Sequence, residues 1–143
     1  MRAIVLDDDA APELGATLES VGFSTDVYTH VAPALARIAT QTYDVAVVDI
    51  RLPDGNGISF IRALREAGHP TKCILVSGYS EPIITFEAGQ LQVERYLHKP
   101  FDRDQLGTIA LELVGSTRVD SFRDLVRLVG APFLQPGRPP TMP

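Results

Sequence analysis

The chain has 143 residues, 45% of them hydrophobic, which is enough for one sizeable core and leaves no room for a second globular domain. Its formal charge of -5 and isoelectric point near 5.1 argue against direct nucleic-acid binding, because phosphate contacts need clustered Lys and Arg. The single cysteine, Cys73, excludes a disulfide framework, and the lack of a signal-peptide core or of an apolar run near roughly 20 residues predicts a cytoplasmic protein without membrane insertion.

Five short apolar runs are predicted to be strands. They are rich in Val and Ile and are flanked by turn residues. Most are apolar at consecutive positions, which is typical of parallel strands covered by helices on both faces. The predicted strands are Ala3–Leu6, Ser24–Tyr28, Val45–Val48, Cys73–Val76 and Arg95–Leu97.

Segments with helical periodicity lie between and after these strands. The first follows Pro12, the third begins after Asn56 as its N-cap, the fourth begins near Glu81 and Pro82, and the fifth follows Asp102. The predicted apolar faces are Leu14, Leu18 and Val21 in the first; Leu35, Ile38 and Ala39 in the second; Ile58, Ile61 and Leu64 in the third; and Leu106, Ile109, Ala110 and Leu113 in the fifth. Five strand–helix units predict a doubly wound α/β sheet with ligands at the carboxyl ends of its strands.

Acidic, hydroxyl and basic side chains stand where these strands end. Asp7–Asp9 follow the first strand, Asp49 ends the third, Ser77 ends the fourth and Lys99 follows the fifth. Carboxylates that meet at ~4 Å repel by about 4 kcal/mol at an effective dielectric of about 20, so we expect a divalent cation there. Oxygen ligands favour Mg²⁺ over Zn²⁺, with Mn²⁺ as the alternative ion. A metal and an ammonium around one carboxylate suggest phosphoryl transfer to that carboxylate.

Four separated motifs resemble the response-regulator receiver family of two-component signalling. They are the acidic cluster in residues 5–9 and the segments Asp44–Pro53, Leu75–Gly78 and Tyr96–Phe101. Each motif is weak alone, but the four occur in the family's order and spacing over residues 1 to about 114. The resemblance implies a flavodoxin-like (βα)5 fold with five parallel strands. It also implies a phosphorelay function, in which a sensor histidine kinase or a histidine phosphotransfer protein supplies the phosphoryl group.

The resemblance also implies a role for each of the acidic residues. Asp49 matches the phosphoacceptor. Asp8 matches the direct metal ligand, and Asp7 matches the acid that holds the metal through water. The backbone carbonyl of Arg51 takes the third protein ligand position. Asp9 is predicted to be no more than a solvated, helix-capping residue.

The remaining family positions concern activation. Ser77 matches the hydroxyl that bonds a phosphoryl oxygen, and Lys99 matches the lysine that pairs with the phosphate. Tyr96 matches the aromatic switch, although an aromatic residue on an edge strand can also serve only in packing. Arg51 and Tyr79 match positions that flank the phosphoryl group and are the candidate modulators of its lifetime.

Two regions depart from the family pattern. Ala88 and Gly89 lie earlier than the family's usual alanine–glycine pair, so the fourth helix is predicted to end early with Gly89 as its stop. Residues 116–130 form an additional predicted helix beyond a receiver domain at residues 1–115. This helix either packs on its own domain or forms a dimer or partner contact. The Pro-rich residues 131–143 are predicted to be a disordered tail.

The leading hypothesis is a single-domain signalling regulator that acts through contacts with an unknown protein target and is not a turnover enzyme. Only self-phosphorylation and slow self-dephosphorylation are expected, and a homodimer is one alternative state. A phosphohydrolase of the haloacid dehalogenase type would need a carboxylate two residues after Asp49, where Arg51 stands. A receiver-like module that binds partners without phosphorylation is the third hypothesis.

Overall fold

A computed structural model describes residues 1–78 and 87–115 of the chain. Residues 87–90, called α4, and residues 103–115, called α5, are helical. The other elements, in chain order, are β1 (Arg2–Leu6), α1 (Ala11–Ser20), β2 (Ser24–Tyr28), α2 (Val31–Ile38), β3 (Val45–Asp49), β4 (Arg51–Leu52), β5 (Gly55–Asn56), α3 (Gly57–Glu66), β6 (Lys72–Ser77) and β7 (Arg95–His98).

The central sheet has five parallel strands in the order β2-β1-β3-β6-β7. Helices connect these strands, and the order reverses direction at β1 and β3, so the fold is a doubly wound α/β sheet, as predicted. A two-stranded antiparallel ribbon, β4–β5, follows β3 and pairs Arg51 with Asn56 and Leu52 with Gly55. The reversal point places the carboxyl ends of β1 and β3 side by side, which is where such folds bind ligands.

Both faces of the central strands are buried. Alternate residues of β1, β3 and β6 face the core cluster that α2 and α3 cover, and the intervening residues are also buried on the opposite face. This explains why the strands are apolar at consecutive positions. The fully buried residues on the α2 and α3 side include Ile4, Leu6, Ala46, Val48, Cys73 and Leu75.

Helix α3 has the cap and the apolar face that its sequence predicts. The Asn56 side chain accepts a hydrogen bond from Ile58 N at 2.7 Å. Ile58, Ile61 and Leu64 are buried together with Phe60. Ile58, Ile61 and Leu64 are spaced by three residues and Phe60 precedes Leu64 by four, which places these side chains on one side of the helix.

The apolar face of α2 differs from the predicted one. Val31, Ala34 and Ile38 are its buried residues, whereas Leu35 is 38% exposed and Ala39 lies beyond the helix end and is exposed. The prediction is therefore wrong for Leu35 and Ala39. Because nearly every position of this helix is apolar, periodicity does not determine which stripe contacts the sheet.

The end of α4 also differs from the prediction. Helical residues continue to residue 90, and the left-handed residue is Gln92 (φ 59°), not Gly89. Gln92 N donates to Gly89 O at 3.1 Å and Val93 N donates to Ala88 O at 3.0 Å, which are the two bonds of a Schellman motif. Gly89 is therefore not the stop. The equivalent residue after α3 is a glycine, Gly68 (φ 79°). The predicted start of the fourth helix, near Glu81 and Pro82, lies outside the described residues.

Two compact units divide the chain, Met1–Leu111 and Glu112–Pro143. Residues 112–115 of the second unit are helical. The predicted helix 116–130 and tail 131–143 lie outside the described residues, and the domain boundary at residue 115 remains a prediction. Within residues 1–78 and 87–115, no helix combines the length and the apolar character needed to span a bilayer.

Candidate functional site

The carboxyl edge of the sheet brings the predicted site residues to neighbouring strand ends. Leu6 pairs with Val48, so Asp7 and Asp49 each follow directly after a paired residue. Ser77 pairs with His98, and Lys99 N donates to Ser77 O at 2.7 Å. Four separated chain segments therefore converge at this carboxyl edge of the sheet, as parallel pairing requires. We call the edge formed by Asp7, Asp49, Ser77 and Lys99 the rim.

Lys99 connects the acids at this rim. Its Nζ lies 2.8 Å from Asp7 Oδ2, 3.0 Å from Asp49 Oδ2 and 3.7 Å from Asp9 Oδ1. Asp7 is fully buried and Asp49 is 7% exposed, whereas Asp9 lies largely in solvent. One ammonium thus serves two buried carboxylates, which leaves an excess of negative charge.

The two buried acids respond differently to this environment. Burial works against ionisation of Asp7, but hydrogen bonds from Lys99 and from the amides of Asp9 and Ala10 hold its pKa below the ordinary value. Burial raises the pKa of Asp49, and the ammonium of Lys99 only partly opposes that effect. Burial also disfavours the charged form of Lys99, yet its contacts with Asp7 and Asp49 outweigh burial and raise its pKa. The ammonium is therefore firmly protonated.

Three carboxylates at the rim fit a hard divalent cation. Asp7, Asp8 and Asp49 each offer an oxygen, and these atoms lie within 4.8 Å of one another. Asp8 is exposed, so solvent can reach the cluster and fill further coordination positions. Asp49 Oδ1 accepts only a long hydrogen bond, 3.3 Å from Arg51 N, among the contacts described for that atom. Oxygen donors with open positions suit Mg²⁺, which keeps several waters.

Gly57 fixes the backbone beneath Asp49, and the sequence argument missed it. A Cβ at this position would lie 2.0 Å from Asp49 O and 2.6 Å from Val48 Cγ1. Gly57 N also donates to Ile50 O at 2.8 Å. Only glycine lets the start of α3 approach β3 this closely. The run of Asp, Gly and Asn before this glycine was the available sequence signal for a tight connection.

The remaining predicted residues have separate positions. Ser77 is buried at the end of β6. Tyr96 is half-buried and packs against the core cluster beneath α2 and α3. The side chain of Arg51 is exposed beside Asp49. Tyr79 lies outside the described residues. The structure thus groups Asp7, Asp8, Asp49 and Lys99 tightly, and it brings Ser77 to the same rim through its backbone.

Comparison with known proteins identifies the family to which this fold belongs. The response regulator receiver domain matches residues 3–111 of the chain. This chain belongs to the response regulator receiver family. Phosphoryl acceptance is the function of that family, and its members act as signalling switches. Receiver domains of this family bind Mg²⁺ at an acidic pocket, and the cluster of Asp7, Asp8 and Asp49 could hold such an ion.

Individual relatives agree with this assignment. The acid tolerance regulatory protein ActR of Rhizobium meliloti is 33% identical over 105 residues, which are 72% of this chain and 54% of ActR. The photosynthetic apparatus regulatory protein RegA of Rhodobacter capsulatus is 30% identical over 72% of this chain and 57% of RegA. The receiver domain thus spans about half the length of the curated relatives that it matches.

Solved structures match over a larger share of their own length. The receiver domain of the Francisella response regulator 1452 is 31% identical and covers 81% of this chain and 98% of its own, with a TM-score of 0.74. The likeness therefore extends over a complete receiver fold.

Proposed function

We propose that this receiver domain accepts a phosphoryl group on Asp49 in the presence of Mg²⁺ and thereby changes its protein contacts. The observation that carries the proposal is the position of Lys99 Nζ between the buried carboxylates of Asp7 and Asp49. Asp8 stands beside them with its carboxylate in solvent. Nucleophile, metal-binding acids and phosphate-pairing ammonium are thus present at one rim.

The chemical step needs little beyond these groups. An oxygen of Asp49 attacks phosphorus while the P–N bond to the donor's histidine breaks, and the bonding electron pair stays on the imidazole nitrogen. Lys99 opposes the effect of burial on the pKa of Asp49 and so favours the ionised nucleophile. Bound Mg²⁺, held by Asp7, Asp8 and the backbone carbonyl of Arg51, would neutralise charge on the phosphoryl oxygens.

The proposed switch uses Ser77 and Lys99 at the rim and Tyr96 on β7. A phosphoryl group on Asp49 adds negative charge and acceptor oxygens. The Ser77 hydroxyl and the Lys99 ammonium then bond those oxygens. Tyr96, half-buried in this structure, moves to a more buried position and alters the surface around α4, β7 and α5. By their positions in the family pattern, Arg51 and Tyr79 are the proposed modulators of the lifetime of the phosphoryl group.

The proposed phosphodonor is a sensor histidine kinase or a histidine phosphotransfer protein in the cytoplasm. The output is a contact with a downstream protein or with a second copy of the chain. No direct contact with nucleic acid is proposed for these residues, because the net charge is -5.

Incubation with acetyl phosphate and Mg²⁺, followed by intact mass measurement, tests this function. The native protein gains one phosphoryl group, and the gain disappears in the Asp49→Asn variant and when the metal is chelated. Asp104→Asn is the matched control, because Asp104 is exposed on α5 and is absent from the acidic cluster at the rim; it gains the group normally. A native protein that stays unmodified at saturating Mg²⁺ contradicts the proposal. Size measurement before and after the reaction distinguishes the homodimer from the monomer.

A further inference from the structure

The first turn of α2 is capped by a side chain from a distant loop. Asp54 Oδ1 accepts a hydrogen bond from Val31 N at 2.6 Å, and Asp54 Oδ2 accepts one from Ala32 N at 3.0 Å. His30 occupies the N-cap position and makes no side-chain cap hydrogen bond. A helix start leaves its first amides without partners inside the helix, and here a carboxylate 22 and 23 residues away satisfies two of them.

Asp54 belongs to the hairpin that begins just after the phosphoacceptor. The hairpin pairs Leu52 with Gly55 and Arg51 with Asn56, so Asp54 lies in its turn. Arg51 N donates to Asp49 Oδ1 at 3.3 Å. The base of the hairpin is therefore tied to Asp49, and its tip is tied to α2.

A second contact joins the hairpin tip to the same helix. A Cβ added at Gly55 would lie 3.5 Å from Val31 Cγ2, so the tip of the hairpin lies next to the first residue of α2. Leu52 and Val31 are also buried in the same core cluster. The amide hydrogen bonds hold the pKa of Asp54 below its usual value, which is the behaviour of a carboxylate that stays charged as a cap.

We propose that Asp54 is a positioning residue for the metal site. By anchoring the hairpin tip on α2, it sets the course of the hairpin and therefore the orientation of the Arg51 backbone carbonyl, the third protein ligand. The inference rests on the proposed function, because it needs Mg²⁺ at the acidic rim. Asp54 itself does not touch the metal-binding acids; it acts through the hairpin.

Magnesium titration of the metal-free protein by calorimetry tests the inference. In Asp54→Ala the Kd for Mg²⁺ rises about tenfold, as is usual when a group that orients a metal ligand is removed. Asp54→Asn keeps one acceptor oxygen, so its Kd for Mg²⁺ lies between those of the native protein and Asp54→Ala. At saturating Mg²⁺ the rate of phosphorylation by acetyl phosphate stays within about twofold of native, because Asp54 sets metal affinity and not the chemical step.

A matched control separates positioning from helix stability. Ala36→Gly weakens α2 at an exposed position outside the core cluster that contains Val31 and Leu52, and it lowers the melting temperature while leaving the Kd for Mg²⁺ unchanged. If Asp54→Ala also loses melting temperature but binds Mg²⁺ as tightly as the native protein, Asp54 is only a cap and the inference is overturned.

Hydrogen exchange gives a readout that does not depend on activity. Because coupling between two sites is reciprocal, saturating Mg²⁺ slows exchange of the Val31 and Ala32 amides in the native protein. The slowing disappears in Asp54→Ala. If the native protein binds Mg²⁺ but the exchange rates of these two amides do not change, the inference is contradicted and the proposed function is unaffected. A native protein that binds no Mg²⁺ contradicts both.

Discussion

Two partly buried cations lie at opposite ends of the sheet, and their surroundings differ. The Arg65 side chain is 18% exposed and the Lys99 side chain is 25% exposed. All five N–H donors of Arg65 are used. Their acceptors are the carbonyl oxygens of Leu91 (2.9 Å), His69 (3.2 Å), Thr71 (2.7 Å) and Gln92 (3.2 Å), and Glu94 Oε1 (3.5 Å).

Lys99 has no such set of neutral partners among its described contacts. Its three nearest acceptors are carboxylate oxygens of Asp7, Asp49 and Asp9. Arg65 therefore joins chain segments whose positions it fixes, whereas Lys99 is outnumbered by negative charges that a metal ion and a phosphoryl group can reorganise. Burial of a cation therefore does not by itself indicate a functional site. The balance of charge around the cation does.

Removal of the Lys99 ammonium gives the largest expected effect. In Lys99→Met the rate of phosphorylation by acetyl phosphate falls about 100-fold at saturating Mg²⁺, because a charge aimed at the phosphoryl oxygens is lost. Intact mass against time measures the rate. Lys72, the other lysine of the chain, lies at the start of β6, and Lys72→Met keeps the native rate. An equal loss in both variants would refute the special role of the rim.

Removal of the Arg65 guanidinium gives the opposite pattern. Arg65→Met lowers the free energy of unfolding by about 3 kcal/mol, because several partly buried carbonyls lose a charged donor. Urea unfolding measures the loss, and Mg²⁺ does not restore it. Arg62→Met on the same helix removes only an exposed ion pair at 4.0 Å from Glu87 and changes stability by less than about 0.5 kcal/mol. If Mg²⁺ restored the stability of Arg65→Met, the contrast between Arg65 and Lys99 would be refuted.

Asp26 is an acidic residue with fixed partners, like Arg65 among the cations. Its contribution to stability is expected to depend on pH. The hydroxyl of Tyr43 and the guanidinium of Arg37 donate to Asp26 Oδ2 and lower the pKa of Asp26. A lowered pKa in the folded state contributes stability above the unfolded value of 3.8, and this is lost as pH falls below it. Asp26→Asn is therefore less stable than native at pH 7 by about 1 kcal/mol.

The pH dependence of that difference is the measurement. Urea unfolding of Asp26→Asn and of the native protein should converge as pH falls below the unfolded value of 3.8, because native Asp26 is then protonated as well. A difference that stays constant between neutral and acid pH would mean that packing, and not the charge of Asp26, accounts for the loss.

The smallest expected effect concerns a strained residue beside Arg65. Gln92 has a left-handed backbone (φ 59°), and its carbonyl accepts from Arg65 Nη2. Gln92→Gly relieves the steric cost and raises the free energy of unfolding by up to about 1 kcal/mol. Gly68→Ala, at the equivalent position after α3, lowers it by about the same amount. Gln92→Gly with unchanged or lower stability would contradict this account.

Much of the fold could be predicted because its signals are local. Short apolar runs, most of them apolar at consecutive positions, indicated all five parallel strands, and Asn56 indicated the start of α3. Local signals failed where several local solutions were equivalent. In α2 either stripe is apolar, and packing on the sheet buries Ala34 instead of Leu35. At the end of α4 the chain reverses at Gln92, although Gly89 is nearby.

The amino-acid sequence is sufficient to predict which side chains lie at the carboxyl ends of the strands. Asp7, Asp8, Asp49 and Lys99 come directly after predicted strands, and parallel pairing brings those strand ends together. The contacts that hold these side chains in place are visible only in the folded protein. Asp54 meets α2 and Gly57 meets the backbone of Asp49 through contacts that no periodicity records. Hydrogen bonding between neighbouring strands sets where each strand ends. Loops acquire their course only when other elements pack against them.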